Sequence, residues 1–308
     1  MTEQPTGDHV PAHLPVLTKE VCDLLLAHSP ELIVDCTIGL GGHARLLLER
    51  SPGLHLIGLD LDEGNLGLAR ANFGGFGSRA RLFKGSFGDL GSVLAGAGVT
   101  KVGGILADLG LSSNQLEDPA RGFSFDLEGP LDMRLDRDQG MTAAELLKGL
   151  TEAELADLLY FQSQERRSRR ISRRICQALR QGGLNSTVAL ARLVASAVGQ
   201  DPDSRRGRIH PATRTFMALR ICVNRELESL RGLLEQAPRW LEPQGRIAVI
   251  SFHSGEDRMV KEDFRARAAE GVYRRVTKKP VTADKTELRR NPRSRSAKLR
   301  VAEVVGGP

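Results

Sequence analysis

Three acids stand at the ends of three apolar runs, and a glycine-rich turn follows the first of them. Leu32, Ile33 and Val34 lead into the segment DCTIGLGGH at 35–43, a second run ends in Asp60, and a third ends in Ala107 and Asp108. A strand that turns through Gly39, Gly41 and Gly42 brings backbone within contact distance of a ligand, because glycine has no Cβ and accepts positive φ. An acid at the tip of the next strand, Asp60, can accept both hydroxyls of an adenosine ribose. These residues predict a nucleotide-cofactor site. A bare strand-to-helix turn would have no use for Asp60.

Two cofactor classes compete for the pattern. Residues 39–44, GLGGHA, satisfy the loose dinucleotide fingerprint, and Asp60 follows Gly39 by 21 residues, near the ~20 expected for NAD. Against NAD, Asp35 and Thr37 stand between the strand and the glycines, where a pyrophosphate makes a carboxylate unfavourable. S-adenosylmethionine carries a sulfonium and an ammonium and no phosphate, so Coulomb attraction favours it beside Asp35. Asp108 opens DLGLSSNQ at 108–115, at the carboxyl edge where parallel sheets bind ligands. An Asx turn or N-cap would use Asp108 and the serines as well, and both uses are compatible.

The elements that must position these residues follow from periodicity. Short apolar runs at 32–36, 54–60, 80–84 and 102–108 alternate with helical patterns beginning near Ala44 and Asn65, which predicts an α/β sheet. Leu219, Val223, Leu227, Leu230 and Leu234 recur at three- and four-residue spacing as one helix. A fifth strand at 246–252 follows a turn at 243–245. Between these halves the chain is arginine-rich and helical, with capping-box patterns from Thr142 to Glu145 and from Thr151 to Glu154. The division expected is a cofactor domain at 1–112 and 215–308, interrupted by a helical domain at 113–214.

At 308 residues and 40% hydrophobic, the chain can bury one large core with a smaller one appended. No apolar stretch approaches the ~18 residues of a membrane span, and the N-terminus lacks a basic-then-apolar signal, so the sequence reads as cytoplasmic. Cys22, Cys36, Cys176 and Cys222 are widely spaced in apolar contexts, as reduced structural thiols are. His9, His13 and His28 have no partners at ligand spacing, so no metal is expected. The net charge is only +6, yet seven arginines face one acid between 165 and 180, and eleven Lys/Arg face two acids between 271 and 300. Such clusters predict a polyanion partner bound through counterion release. The bland alternatives are a solvated helix face and a disordered tail.

The motif blocks, taken together, resemble the bacterial small-subunit ribosomal RNA methyltransferase H family. The resemblance is carried by HLPVL at 13–17, DCTIGLGGH at 35–43, ADLGLSSNQ at 107–115, RGFSF at 121–125 and PLDMR at 130–134. It continues in HPATRTF at 210–216, SFHS at 251–254 with Glu256, Asp257 and Arg258, and NPRSRSAKLR at 291–300. It implies an α/β class I (Rossmann-like) methyltransferase sheet with an inserted all-helical substrate-recognition domain. It further implies S-adenosylmethionine-dependent methylation of the exocyclic N4 of one cytosine in the decoding region. The partner would be small-subunit ribosomal RNA or the assembled subunit. Gly41, Gly42, His43, Asp60, Phe87, Asp108 and Gln115 would contact the cofactor. The chain departs from the family pattern at 160–165, YFQSQE, at Gly255 and in a short stretch between Lys261 and Asn291.

Cytosine N4 is a poor nucleophile because its lone pair is delocalised into the ring, so a catalyst must accept a hydrogen bond from the amine and align it with the sulfonium methyl. Asp108, alone or with a backbone carbonyl or Ser112, is the expected orienting group. A target base must leave its stack, and Phe123 and Phe125 beside Arg121 are candidate stacking partners or else a domain-interface anchor. Phe252 and His253 would reach the cleft from the fifth strand. Arg214 and Arg220 would bring phosphate ligands to it, or His210 and Pro211 simply begin a helix. Two rivals remain: an NAD-dependent oxidoreductase, and a non-catalytic RNA-binding ribosome-assembly factor.

Overall fold

The computed structural model describes residues 14–201 and 210–306, so His9 and His13 lie outside the described residues. Seven strands form one sheet: β1 (Leu32–Asp35), β2 (His55–Asp60), β3 (Ala80–Lys84), β4 (Val102–Asp108), β5 (Leu241–Ser251), β6 (Tyr273–Arg275) and β7 (Lys298–Val304). Their spatial order is β3-β2-β1-β4-β5-β7-β6. The first five are parallel, and β7 runs antiparallel between β5 and β6.

Side chains alternate across each strand, and both faces of the sheet are apolar. One face carries Ile33, Leu56, Leu106 and Ile250 against α1 (Thr18–Leu25), α2 (Gly42–Arg50) and α3 (Glu63–Asn72). The other carries Val34, Ile57, Ile105 and Val249 against α4 (Leu90–Gly96), α11 (Glu226–Trp240) and α12 (Ser254–Ala269). This doubly wound sheet is the α/β architecture expected from the alternating runs. β5 begins earlier than expected: the predicted turn at 243–245 is a bulge within the strand, marked by Gln244 at φ 65° and a register shift opposite Val102 and Gly104.

A third apolar cluster belongs to the helical region after β4. It joins α6 (Ala143–Gly149), α7 (Glu152–Ser163), α8 (Ser168–Arg180), α9 (Thr187–Ala197) and α10 (Thr213–Val223), while the short α5 (Ser113–Glu117) stays at the sheet edge. Thr142 and Thr151 open α6 and α7 with full capping boxes, as the sequence predicts. α8 buries Ile171, Ile175 and Cys176 and turns its arginines outward.

One expectation needs correction. The apolar spacing from Leu219 to Leu234 is not one helix, because the chain breaks at Asn224 and Arg225, where Arg225 takes φ 51°. The Asn224 amide holds that break by bonding the Leu135 N–H and the Met133 and Arg220 carbonyls. The helical core also draws on Phe216, Ala218 and Leu219 of α10. The C-terminal stretch is not a disordered tail: α13 (Lys285–Arg290) and β7 fold it onto the sheet.

Candidate active site

The chain leaves β1 toward β2 and crosses back from β3 to β4, so the crossovers diverge between β1 and β4 and open a crevice at the carboxyl edge. A cavity of about 360 Å³ occupies it. Asp35, Asp60 and Asp108 end β1, β2 and β4 and furnish its polar wall. Loss of water is the largest influence on each. Burial pushes Asp35 up to about 6, against the attraction of His43. Asp60 also rises to about 6, against hydrogen bonds from Asp62, Asn65 and Gly39. Asp108 rises to about 7, helped by repulsion from Glu256.

Asp108 is the least satisfied of the three. Its Oδ1 is buried without a hydrogen bond, and its Oδ2 lies 3.6 Å from His43 Nδ1. His43 is itself buried, with Nε2 2.7 Å from the Val16 carbonyl. A carbonyl only accepts, so Nε2 carries the hydrogen, and burial lowers the ring's pKa. Nδ1 is then a lone pair, and any further proton of this pair sits between it and Asp108. Thr37 accepts the Asp108 N–H at 2.7 Å and fixes the tips of β1 and β4 together.

The glycine turn is built by packing as well as by ligand access. Gly39 takes φ 51° and donates its N–H to Asp60 Oδ2 at 2.9 Å. Gly41, at φ 85°, caps α2, and a Cβ there would stand 2.5 Å from the Phe73 ring. On Gly42 a Cβ would meet the Pro15 ring at 2.9 Å. Gly42, His43, Asp60, Phe87 and Asp108 line the cavity, and Gly41 stands beside the Phe73 ring.

Ser112 and Gln115 also line the cavity, yet much of their bonding capacity is spent on the protein. Gln115 Oε1 takes the Ser112 N–H at 3.0 Å and its Nε2 donates to Asp62 at 2.8 Å. The Ser112 hydroxyl donates to Asn65 Oδ1 at 3.3 Å, which leaves only oxygen lone pairs for a ligand. Asn65 in turn donates to Asp60 at 3.1 Å, so one network orients Asp60.

Several sequence-predicted residues fall elsewhere. Arg121 is buried, bonds Asp62 at 2.5 Å and donates to the Arg134 and Leu135 carbonyls. Phe123 is buried in the helical core, and Phe125 stacks on His210 with centroids 4.5 Å apart and meets Phe216 edge-on. Neither ring offers a free face to a base at the cleft, so the anchor reading replaces the stacking one. Arg220 reaches the cleft but is held by Glu226 at 2.8 and 2.9 Å and is no free phosphate ligand. Phe252 lines the cleft, whereas His253 caps α12 by accepting the Gly255 and Glu256 N–H groups. Sequence reasoning missed the buried Glu256, which accepts the Phe252 N–H at 2.8 Å, and the Glu226 partner of Arg220. Neither sits in a glycine or strand-end pattern that would have flagged it. Among the described residues no cluster of His, Cys, Asp or Glu could hold a metal, and no helix is long and apolar enough to cross a membrane.

A sheet in the order 3-2-1-4-5-7-6 with its seventh strand reversed, and a switch-point cleft walled by acids rather than phosphate ligands, defines a class I methyltransferase. Known proteins of similar sequence agree. The chain belongs to the MraW methylase family, whose model matches residues 11–305. It is 50% identical over 304 residues to the ribosomal RNA small subunit methyltransferase H of Sorangium cellulosum, covering 99% of this chain and 93% of that one. The proteins of the same name from Synechococcus sp. and Thermotoga neapolitana are 50% and 47% identical, each over 95% of this chain.

Proposed function

We propose that the protein transfers a methyl group from S-adenosylmethionine to the exocyclic N4 amine of a cytosine in the decoding region of small-subunit ribosomal RNA, with the helical region at 113–214 helping to seat the RNA. The observation that carries the donor is the cluster of the buried Asp35 with the half-buried Asp60 and Asp108, three carboxyls raised toward neutrality with an orphaned oxygen among them. A pyrophosphate would add charge of the same sign, whereas a cation relieves the cluster. When bound, S-adenosylmethionine supplies an electrophilic methyl on a sulfonium. The names of the relatives and the exposed arginines of α8 support the RNA substrate.

The Asp108 carboxyl, which lines the cleft, is the acceptor for one hydrogen of the amine, and that bond turns the nitrogen lone pair toward the cofactor side of the cleft. Once nitrogen gains a methyl it must shed a proton, and Asp108, poised near 7, can take it. His43 Nδ1, 3.6 Å away, can share it. The Thr37 hydroxyl and the Asn65 network keep these acids in place without touching the amine.

The test is incubation with methyl-labelled S-adenosylmethionine and small ribosomal subunits lacking their own base methylation, followed by nucleoside mass spectrometry. Label in N4-methylcytidine is expected, and Asp108→Asn should slow turnover about 100-fold at saturating cofactor. Cofactor binding without transfer would favour the assembly-factor reading, and NAD binding with no affinity for S-adenosylhomocysteine would favour the oxidoreductase.

A further inference from the structure

The end of α7 presents two large aromatic side chains to water. Phe161 is 73% exposed and Tyr160 53%, and their rings meet edge-on with centroids 5.4 Å apart. The helix stops there because Gln164 turns into the left-handed region at φ 55°. Exposing a phenylalanine to this degree forgoes roughly 1.5–3 kcal/mol of burial, and Phe161 adds nothing to the helical core beside it. One exposed ring alone means little, but two adjacent rings bordered by grooves make a contiguous apolar patch of the kind binding surfaces use.

Two grooves flank the ring. The first, about 400 Å³, runs between Phe161 and the side chains of Met217, Leu227 and Met259, with exposed Arg231 and Arg258 on its walls. Its far wall is the turn from His253 to Gly255, and Phe252 and Glu256 on either side of that turn line the active-site cleft. The groove and the cleft are therefore neighbours across one turn. The second, about 800 Å³, is walled by Tyr160, Phe161, Arg166, Arg169 and Arg170. These three arginines are exposed and form no ion pair among the described residues, unlike Arg167, which donates to the Val198 carbonyl, and Arg173, which pairs with Glu152. The acids on the two walls, Asp157, Glu262 and Asp263, are outnumbered, and Asp263 is already held by Arg267.

We infer that Phe161 is a stacking platform for an unpaired nucleotide of the RNA strand next to the target base, with Arg231 and Arg258 on one side and Arg166, Arg169 and Arg170 on the other taking its phosphates. This rests on the ribosomal RNA reading and extends it to a second subsite. An aromatic face accepts any base and arginines follow the backbone, which is how single strands are held without sequence readout. A flipped target base needs its neighbours held, and a platform one turn from the cleft does that. Charge decides for nucleic acid over an apolar protein segment, since five cationic groups around one ring would repel nothing in RNA and would be left unpaired by a neutral partner.

Phe161→Ala and Phe161→Trp in the full chain test the inference. The alanine variant should melt at the wild-type temperature, bind S-adenosylhomocysteine normally, and lose about 10-fold in affinity for naked small-subunit RNA and for the subunit, seen as a raised KM with kcat within twofold. The tryptophan variant should restore binding, and its fluorescence should be quenched on RNA addition. Unchanged RNA affinity in Phe161→Ala overturns the platform. So does a loss confined to intact subunits with naked RNA unaffected, which assigns the ring to a ribosomal protein. Binding is read without turnover, so a wild-type protein that binds RNA but transfers no methyl group refutes the catalytic reading alone.

Discussion

Asp108 holds a free acceptor, a raised pKa and a histidine neighbour in one side chain, and each has a pH consequence. A cationic ligand binds the ionised forms of Asp35, Asp60 and Asp108, so affinity for S-adenosylmethionine should rise as pH passes through the range about 6 to 7 where they lose protons. Lowering one carboxyl's pKa by a single pH unit on binding is worth ~1.4 kcal/mol, so the dissociation constant should fall about 10-fold between pH 5.5 and 8, with proton release visible as a buffer-dependent heat. A flat titration would remove the acids from the donor site. Stability without cofactor runs the other way. Because the folded-state pKa values of these acids are raised, their contribution is full below the unfolded value of about 4 and is lost as pH climbs through 6 to 7. Asp108→Asn places an amide donor beside His43 Nδ1 and removes one desolvated charge. It should raise the melting temperature of the cofactor-free protein at pH 8 by about 3 °C and leave it unchanged at pH 4.5.

The elements that aim these residues are joined by a buried link that the motif pattern hides. Asp62 caps α3 through the Gly64 N–H, receives Gln115 from α5, and is bonded by Arg121, whose other nitrogen donates to the Arg134 and Leu135 carbonyls of the helical region. Arg121→Met strands the Asp62 charge in the interior and should cost about 3–5 kcal/mol in denaturant unfolding. Adding Asp62→Asn, which keeps the cap acceptor, should recover more than half. If the double variant is no more stable than the single, the pair is not the link. The strands, the glycine turn and the capping boxes are legible in the sequence because each is a local pattern: alternation, missing Cβ atoms, a hydroxyl three residues before an acid. In the sequence, Arg121 with Phe123 and Phe125 leaves base stacking and a domain-interface anchor both open, because sequence shows only neighbours along the chain. It does not show that Asp62, 59 residues away, claims the guanidinium. The single helix expected from Leu219 to Leu234 fails for the same reason, since the break at Arg225 is imposed by Asn224 reaching back to Met133 and Leu135. Nor does the sequence show that Gly41 meets the Phe73 ring or that Gln115 donates to Asp62.

At the scale of the whole molecule, the two basic stretches read alike in sequence, but some cations of the second are used inside the fold. Of the eleven cations between 271 and 300, Arg274, Arg293, Lys298 and Arg300 are tied within the protein. Arg274 and Arg246 bond Glu303 at 2.5 and 2.8 Å, holding its carboxyl down at about 2, and Arg300 and Lys298 bond Asp257 at 2.7 and 3.3 Å. The same stretch anchors residues 14–17 over the cleft: Glu287 accepts the Leu17 N–H and Asn291 donates to the Leu14 carbonyl, which sets the Val16 carbonyl against His43. The exposed arginines of α8 lack such partners, apart from Arg173. Counterion release separates the two groups, because only a cation that meets phosphate changes the slope of log affinity against log salt, by about 0.7–0.9 per contact. Replacing Arg169 and Arg170 with alanine should lower the slope for small-subunit RNA by about 1.5 and leave the melting temperature within a degree or two. Arg300→Ala should do the reverse, leaving the slope intact. It should cost about 2–3 kcal/mol of stability, because Arg300 is buried and its loss weakens the tie between Asp257 of α12 and β7. Equal slopes for wild type and the α8 variant, measured from 50 to 200 mM salt, would move the RNA off that helix.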